Sequence, residues 1–285
     1  MNPKVQLTEC PRDAMQGIKK FIPTATKINY LNQLLKVGFD QLDFGSFVSS
    51  KAIPQMSDTK EVVQELSISD TKLLAIIANE RGAESAAMHS NINVIGFPFS
   101  ISEQFQLRNT NSTRLQALER VKNIKKIAES QNIHCRVYLS MAFGNPYQEE
   151  WSPKILTYWA QHLEELGVNE LVLSDTVGVA DQTSIEKAFS ALQKTIPKVQ
   201  LAGHFHSNPE NWKTKITGAK NSNCNSFDSA ILGIGGCPMA TDELVGNIAT
   251  ENLIDLFSTE LSEKFNQTEF EKAQQMANLL FSNYH

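Results

Sequence analysis

The sequence predicts an α/β fold in one domain, a (β/α)8 or TIM barrel, on three observations. Eight short β-rich runs recur along 285 residues, amphipathic stretches separate them, and several of the runs are almost continuously apolar. Strands that alternate with helices form right-handed parallel βαβ units, and apolar runs suit strands covered on both faces. Eight units favour closure into a barrel, whereas a doubly wound open sheet more often has about five or six strands. No G-x-G-x-x-G follows the first run and no G-x-x-x-x-G-K-[ST] occurs, so the nucleotide-binding open sheets lack their usual signature. The expected organisation is a single domain over 1–285, with a barrel over about 4–257 and a C-terminal helical segment over about 258–285.

Taken in order, the first strand is read at VQLTEC (5–10). Thr24 is expected to cap a helix carrying Ile28, Leu31, Leu34 and Leu35, with Gly38 just past its end. QLDFGSF (41–47) is the second strand and LLAIIA (73–78) the third, within a stretch over 59–91 whose helix faces are weak. INVIGFPF (92–99) is the fourth, and Leu115, Leu118, Val121, Ile124 and Ile127 then recur at helical spacing. HCRVYLSM (134–141) precedes Ser152-Pro153, an N-cap with Pro at the first helical position, and Gly167 closes that helix. ELVLSDT (170–176) and QLAGHFH (200–206) follow; Asn208-Pro209 is read as another helix start, and SFDSAILG (226–233) is the last strand.

Composition narrows the function. Hydrophobic residues at 41% and charged residues at 20% describe an ordinary folded chain. A net charge of −5 without basic blocks argues against nucleic acid as a partner. No run approaches the ~18 apolar residues of a membrane span. The N-terminus turns polar too soon for a signal peptide, so a cytoplasmic location is expected. Four cysteines without a C-x-x-C pair are expected to be reduced, with Cys10 and Cys135 as core residues inside strands. His89, His134, His162 and His285 have no partner by spacing.

A barrel of this type works at the C-terminal ends of its strands. Arg12-Asp13 follow the first strand there, Asp43 lies near the end of the second, Asp175 ends the sixth, and His204 and His206 end the seventh. Residues i and i+2 of a strand share a face, so the two imidazoles project together, as a metal ligand pair would. An Asp, two His and an amide oxygen would leave open positions on an octahedral ion for a chelating substrate. Beyond the eighth strand, Cys237 sits in L-G-I-G-G-C-P, with Asn247 and Glu251 further on. Glycines there suit a mobile flap or simply a turn that needs positive φ, and a thiol on such a flap would be placed to donate a proton.

C-P-R-D-A-M-Q (10–16), S-F-V-S (46–49) with P-Q-M (54–56), S-D-T-V-G-V (174–179), H-F-H (204–206), G-I-G-G-C-P (233–238) and G-N-I-A-T-E-N-L (246–253) occur in that order. Together they closely resemble the hydroxymethylglutaryl-CoA lyases, of the metal-dependent TIM-barrel lyase superfamily, from about residue 4 to 257. The resemblance implies retro-Claisen cleavage of 3-hydroxy-3-methylglutaryl-CoA to acetyl-CoA and acetoacetate. It implies Asp13, His204, His206 and Asn247 as metal ligands, Arg12 at the enolate oxygen and Cys237 in proton transfer. Asp175 and Glu251 match acidic positions in or around the site, and Gln16, Asn109 and Tyr138 match substrate-pocket positions. Ligand type alone suits Mn²⁺ or Zn²⁺; the resemblance points to Mg²⁺ or Mn²⁺, which is the expectation adopted. The implied partner is an acyl-CoA, with neither nucleic acid nor membrane; a homodimer stays open. Asp43 stands where these lyases usually carry Glu, and Ser207-Asn208-Pro209 replaces a usual Asp-Thr stretch. The rival readings are a related lyase or aldolase for another 3-hydroxy-3-alkylglutaryl-CoA, and a catalytically silent barrel that only binds.

Overall fold

Eight parallel strands close on themselves: β1 (Gln6–Glu9), β2 (Gln41–Ser46), β3 (Lys72–Ile76), β4 (Ile92–Ser100), β5 (His134–Ser140), β6 (Glu170–Asp175), β7 (Gln200–Phe205) and β8 (Ser226–Ser229). Each pairs with the next, and β8 returns to β1 in a register running from Gln6↔Ser226 to Glu9↔Ser229. The computed structural model describes residues 4–236 and 245–284. All eight runs read from the sequence become strands, and helices cover the outside, as the alternation demands.

Three local readings need correction. The helix expected to be capped by Thr24 spans Thr24–Leu34 with Pro23 at the N-cap, where φ −55° and ψ 139° hold the chain extended. Thr24 is therefore already helical, and its hydroxyl donates to Asp58 Oδ2 at 2.8 Å instead of capping. Asn208-Pro209 does not start a helix: Asn208 Oδ1 accepts from the backbone of Glu210 and Asn211, both at 3.0 Å, and this Asx turn delays the helix to Trp212–Asn221. The eighth run stops at Ser229, and Ile231–Gly233 form a 3-10 turn with Leu232 at φ 66°. Elsewhere the signals hold. Ser152 Oγ accepts from Ile155 N at 3.3 Å ahead of Pro153–Glu165, and Thr113 with Gln116 completes a capping box on Arg114–Ser130.

Because side chains alternate across a strand, even-numbered residues of β5, β6 and β7 face the barrel interior. Tyr138, Val172 and Ala202, with Ile76, form one apolar layer there. Toward the N-terminal ends lies an ionic layer in which Arg136 bonds Thr8 and Asp228 and reaches Glu170. The larger aliphatic and aromatic core lies between sheet and helices. The C-terminal helix Gln267–Tyr284 docks on Thr24–Leu34, with Phe281 edge-on to Tyr30 at 6.4 Å.

Candidate active site

A short helix, Pro11–Gln16, begins as soon as β1 ends, with Pro11 at its first position. This throws Arg12 and Asp13 over the barrel mouth, both buried. Arg12 forks onto Asp43 at the end of β2: Nε lies 3.2 and 3.1 Å from the two oxygens, and Nη2 lies 2.5 Å from Oδ2. Its remaining nitrogen, Nη1, donates to Asp13 Oδ1 at 3.0 Å and Gln16 Oε1 at 2.9 Å. A fork of this kind fixes the plane of the guanidinium as well as its position.

Asp13 is the hub of the rim. Its Oδ1 also accepts from Gln16 Nε2 at 2.7 Å, and its Oδ2 accepts from Asn247 Nδ2 at 2.7 Å and Gly236 N at 3.3 Å. Burial works to raise its pKa, but Arg12, the two imidazoles and Asn247 outweigh it and hold the carboxyl at about 2. Asn247 gives its second amide proton to Ile234 O at 2.9 Å, so Oδ1 is the atom it has for a cation. A bridge between His206 and Asn247 ties the end of β7 to this loop.

His204 and His206 project together, as the spacing predicts, with ring centroids 5.0 Å apart at 86°. Burial and the neighbouring His204 push His206 down to about 4, so it is neutral near pH 7, and its buried Nδ1 has no hydrogen-bond partner. Burial opposes the charged form of His204, yet Asp228 at 3.2 Å draws its pKa upward overall. An orphaned imidazole nitrogen, a second imidazole, an ionised carboxylate and an amide oxygen at one rim are a donor set that fits a divalent cation. A different trio, Cys10, His204 and Asp228, offers ligand-type atoms all within 4.8 Å of one another.

Above these groups lies a cavity of about 170 Å³. Arg12, Asp13, Gln16, Asn109, Tyr138, His204 and His206 line its polar side, and Val48, Ile53, Ile76, Pro98 and Phe105 are among its apolar lining. The sequence thus names seven residues that the fold brings to one cavity.

Of the other five, Asn247 holds Asp13 at the rim without lining the cavity, three stand elsewhere, and one is not among the described residues. Asp43 is fully enclosed and faces Arg12; burial, countered in part by Arg12, pushes its carboxyl up to about 6. Asp175 does not line the cavity: Ser174 and Thr176 do, and alternation turns Asp175 outward to buried Lys215, whose Nζ lies 2.6 Å from Oδ2. Glu251 accepts from Leu232 N at 3.1 Å and braces the turn after β8. Cys237 lies outside the described residues.

Several paired groups escaped the sequence reading. Lys215 also donates to His206 O at 2.7 Å and Gly178 O at 2.8 Å, which ties the end of β7 to the loop after β6. His134, unpaired by spacing, meets Glu170 at 2.7 Å across neighbouring strands. Cys10, read as a plain core residue, sits beside His204 and Asp228. His134 with Glu170, and Cys10 with His204 and Asp228, lie far apart in sequence and meet through the closed barrel, whereas Lys215 reaches back from the helix after β7.

A (β/α)8 barrel with a clamped Arg, an ionised Asp and two imidazoles over one mouth cavity belongs to the class of barrel enzymes that handle anionic intermediates. The chain belongs to the HMGL-like family, whose model matches residues 4–279, and it is a lyase. A Pseudomonas aeruginosa protein named 3-hydroxy-3-isohexenylglutaryl-CoA/hydroxy-methylglutaryl-CoA lyase is 32% identical over 256 residues, 90% of this chain and 85% of its own. The Bacillus subtilis hydroxymethylglutaryl-CoA lyase YngG is 32% identical over 88% of this chain and 84% of its own. Among solved structures, the HMG-CoA lyase of Brucella melitensis superposes with a TM-score of 0.90 at 27% identity, covering 98% of this chain and 99% of that one. An HMG-CoA lyase of Acinetobacter baumannii, in complex with coenzyme A and 3-methylmalate, gives 0.90 at 27% identity, covering 98% and 92%.

Proposed function

We propose that this chain cleaves 3-hydroxy-3-methylglutaryl-CoA to acetyl-CoA and acetoacetate, with the mouth cavity as its active site and an acyl-CoA as its partner in the cytoplasm. One observation carries the reading: Arg12, held rigid by Asp43, faces the same cavity as Asp13, His204 and His206 in a chain of this family. The reaction removes the proton of the tertiary hydroxyl, breaks the bond between C2 and C3, and leaves the electron pair on the thioester enolate. A divalent cation, Mg²⁺ or Mn²⁺, bound by Asp13, His204, His206 and Asn247 would lower the pKa of that hydroxyl and orient it. Arg12 supplies preorganised donors where the enolate oxygen gains charge. Gln16 and Asn109 offer amides to the polar end of the substrate, and Tyr138 supports the His204 ring edge-on at 5.9 Å. Cys237 is assigned delivery of a proton to the enolate carbon on sequence grounds. Asp43 acts through Arg12, and Asp175 and Glu251 act through the loops they brace.

Purified protein incubated with 3-hydroxy-3-methylglutaryl-CoA should yield acetyl-CoA and acetoacetate in equal amounts by mass spectrometry. Release of free coenzyme A with intact hydroxymethylglutarate would instead make it a thioesterase. The apolar side of the cavity, with Val48, Ile53, Ile76 and Phe105, favours a second reading, a longer 3-alkyl substituent. The Pseudomonas aeruginosa relative is named for both substrate sizes. Each methylene buried against that wall adds ~0.8 kcal/mol, about fourfold in kcat/KM. A rise in kcat/KM along a series of 3-alkyl analogues would select this reading.

A further inference from the structure

His204 offers one edge of its ring to the cavity, and the opposite nitrogen is already engaged. Its Nδ1 lies 3.2 Å from Asp228 Oδ2, and the other oxygen of Asp228 accepts from Arg136 Nη2 at 2.8 Å. Asp228 and Arg136 are 2% and 0% exposed, so no solvent competes for these bonds. Arg136 is itself fixed: Nη1 donates to Thr8 Oγ1 at 3.2 Å and Tyr138 Oη at 3.3 Å, and Nε approaches Glu170 at 2.9 Å off the hydrogen-bond axis. Glu170 meets the part-exposed His134 at 2.7 Å. The barrel thus encloses a line of side chains, His134, Glu170, Arg136, Asp228 and His204, with alternating acidic and basic groups.

We infer that Asp228, braced by Arg136, is the positioning residue that fixes His204 as the Nδ1–H tautomer and so aims the Nε2 lone pair into the cavity. The inference rests on His204 being a metal ligand in the proposed reaction. A ligating imidazole is commonly oriented by a carboxylate on its other nitrogen, and loss of that partner costs about 10–100-fold in metal affinity. On this inference the close trio of Cys10, His204 and Asp228 is the support beneath the ligand rather than the ion site itself. Arg136 already places a positive charge on Asp228. The Cys10 thiol already donates to Thr8 O at 3.6 Å.

Two measurements, neither needing substrate, test this. In wild-type protein with Mg²⁺ at pH 8, ¹⁵N NMR of the His204 ring, assigned by its loss in His204→Gln, should show a protonated Nδ1 and an unprotonated Nε2. A protonated Nε2 with a bare Nδ1 would overturn the inference. Mn²⁺ binding followed by electron paramagnetic resonance should weaken about 10–100-fold in Asp228→Asn, whose amide can donate to Nδ1 and invert the tautomer. The same titration should stay within about twofold of wild type in Cys10→Ser. Loss of affinity in Cys10→Ser as large as in Asp228→Asn would put the ion in the lower trio and refute the assignment. Should Asp228→Asn fail to fold, the wild-type tautomer still decides. Failure of the protein to cleave hydroxymethylglutaryl-CoA would sink the proposed reaction and leave both readouts intact.

Discussion

Three nitrogens of Arg12 are bonded to Asp43, Asp13 and Gln16, so the guanidinium meets the cavity as a fixed plane. Lys in its place keeps the charge and loses the fork. Arg12→Lys should lower turnover by about 10²–10³, the usual cost of one oxyanion donor, with Mn²⁺ affinity changed only a few-fold. Steady-state kinetics beside a binding titration checks this; turnover within a few-fold of wild type would remove Arg12 from the chemistry. Glu9 gives a pH prediction. Burial, opposed by bonds from Thr250 and Ile231 N, pushes its carboxyl from 4.5 up to about 8. Between those values the folded chain holds a proton that the unfolded chain has lost. This contribution to stability is therefore complete below about pH 4.5 and gone once pH has risen through about 8. Glu9→Gln, which cannot titrate, should match wild type near pH 4.5 and exceed it near pH 8.5 by up to about 4 kcal/mol. Urea unfolding at both pH values would measure the gap, and parallel curves would contradict it. The His pair was legible from its i,i+2 spacing, and Arg12 and Asp13 from their place after the first strand together with the C-P-R-D-A-M-Q motif. Asp228 and Arg136 were not: 92 residues separate them, and only the register of a closed barrel joins them.

The turn after β8 shows how a loop sets a site. Gly235 has φ +113°, and a Cβ there would lie 2.5 Å from Asn247 Nδ2 and 3.0 Å from Asp13 O. Gly235→Ala should therefore displace both groups, weaken Mn²⁺ binding at least tenfold, and cost about 1–3 kcal/mol of stability from backbone strain. Gly17, with nothing within 4 Å of an added Cβ and a helical φ of −84°, is the matched control. Gly17→Ala should bind Mn²⁺ normally and gain up to about 1 kcal/mol. Equal behaviour of the two variants would show that the turn does not shape the site. The strands were legible because buried parallel strands read as short apolar runs. Helix starts were less so: Pro23 and Asn208 each belong to an extended or Asx-turn conformation that defers the helix, a choice made by local bonds that spacing does not display.

At the scale of the molecule, alternation along the strands decides which residues reach the cavity. It turns Ser174 and Thr176 to the cavity and Asp175 to Lys215, and it leaves Asp13 as the one carboxylate lining the cavity among the described residues. The barrel and its mouth were legible from eight alternating units; the inward or outward sense of each acid was not, because position at a strand end does not set the face. The proposed reaction requires this rim to cleave a carbon–carbon bond with the help of a bound cation. The most direct measurement is the rate of acetyl-CoA formation from 3-hydroxy-3-methylglutaryl-CoA by protein stripped with a chelator, before and after Mn²⁺ or Mg²⁺ is returned. Stripped protein should give negligible product, and adding either ion should restore the rate by at least about 10². Full turnover in the stripped protein, or none after reloading, would contradict the proposed reaction.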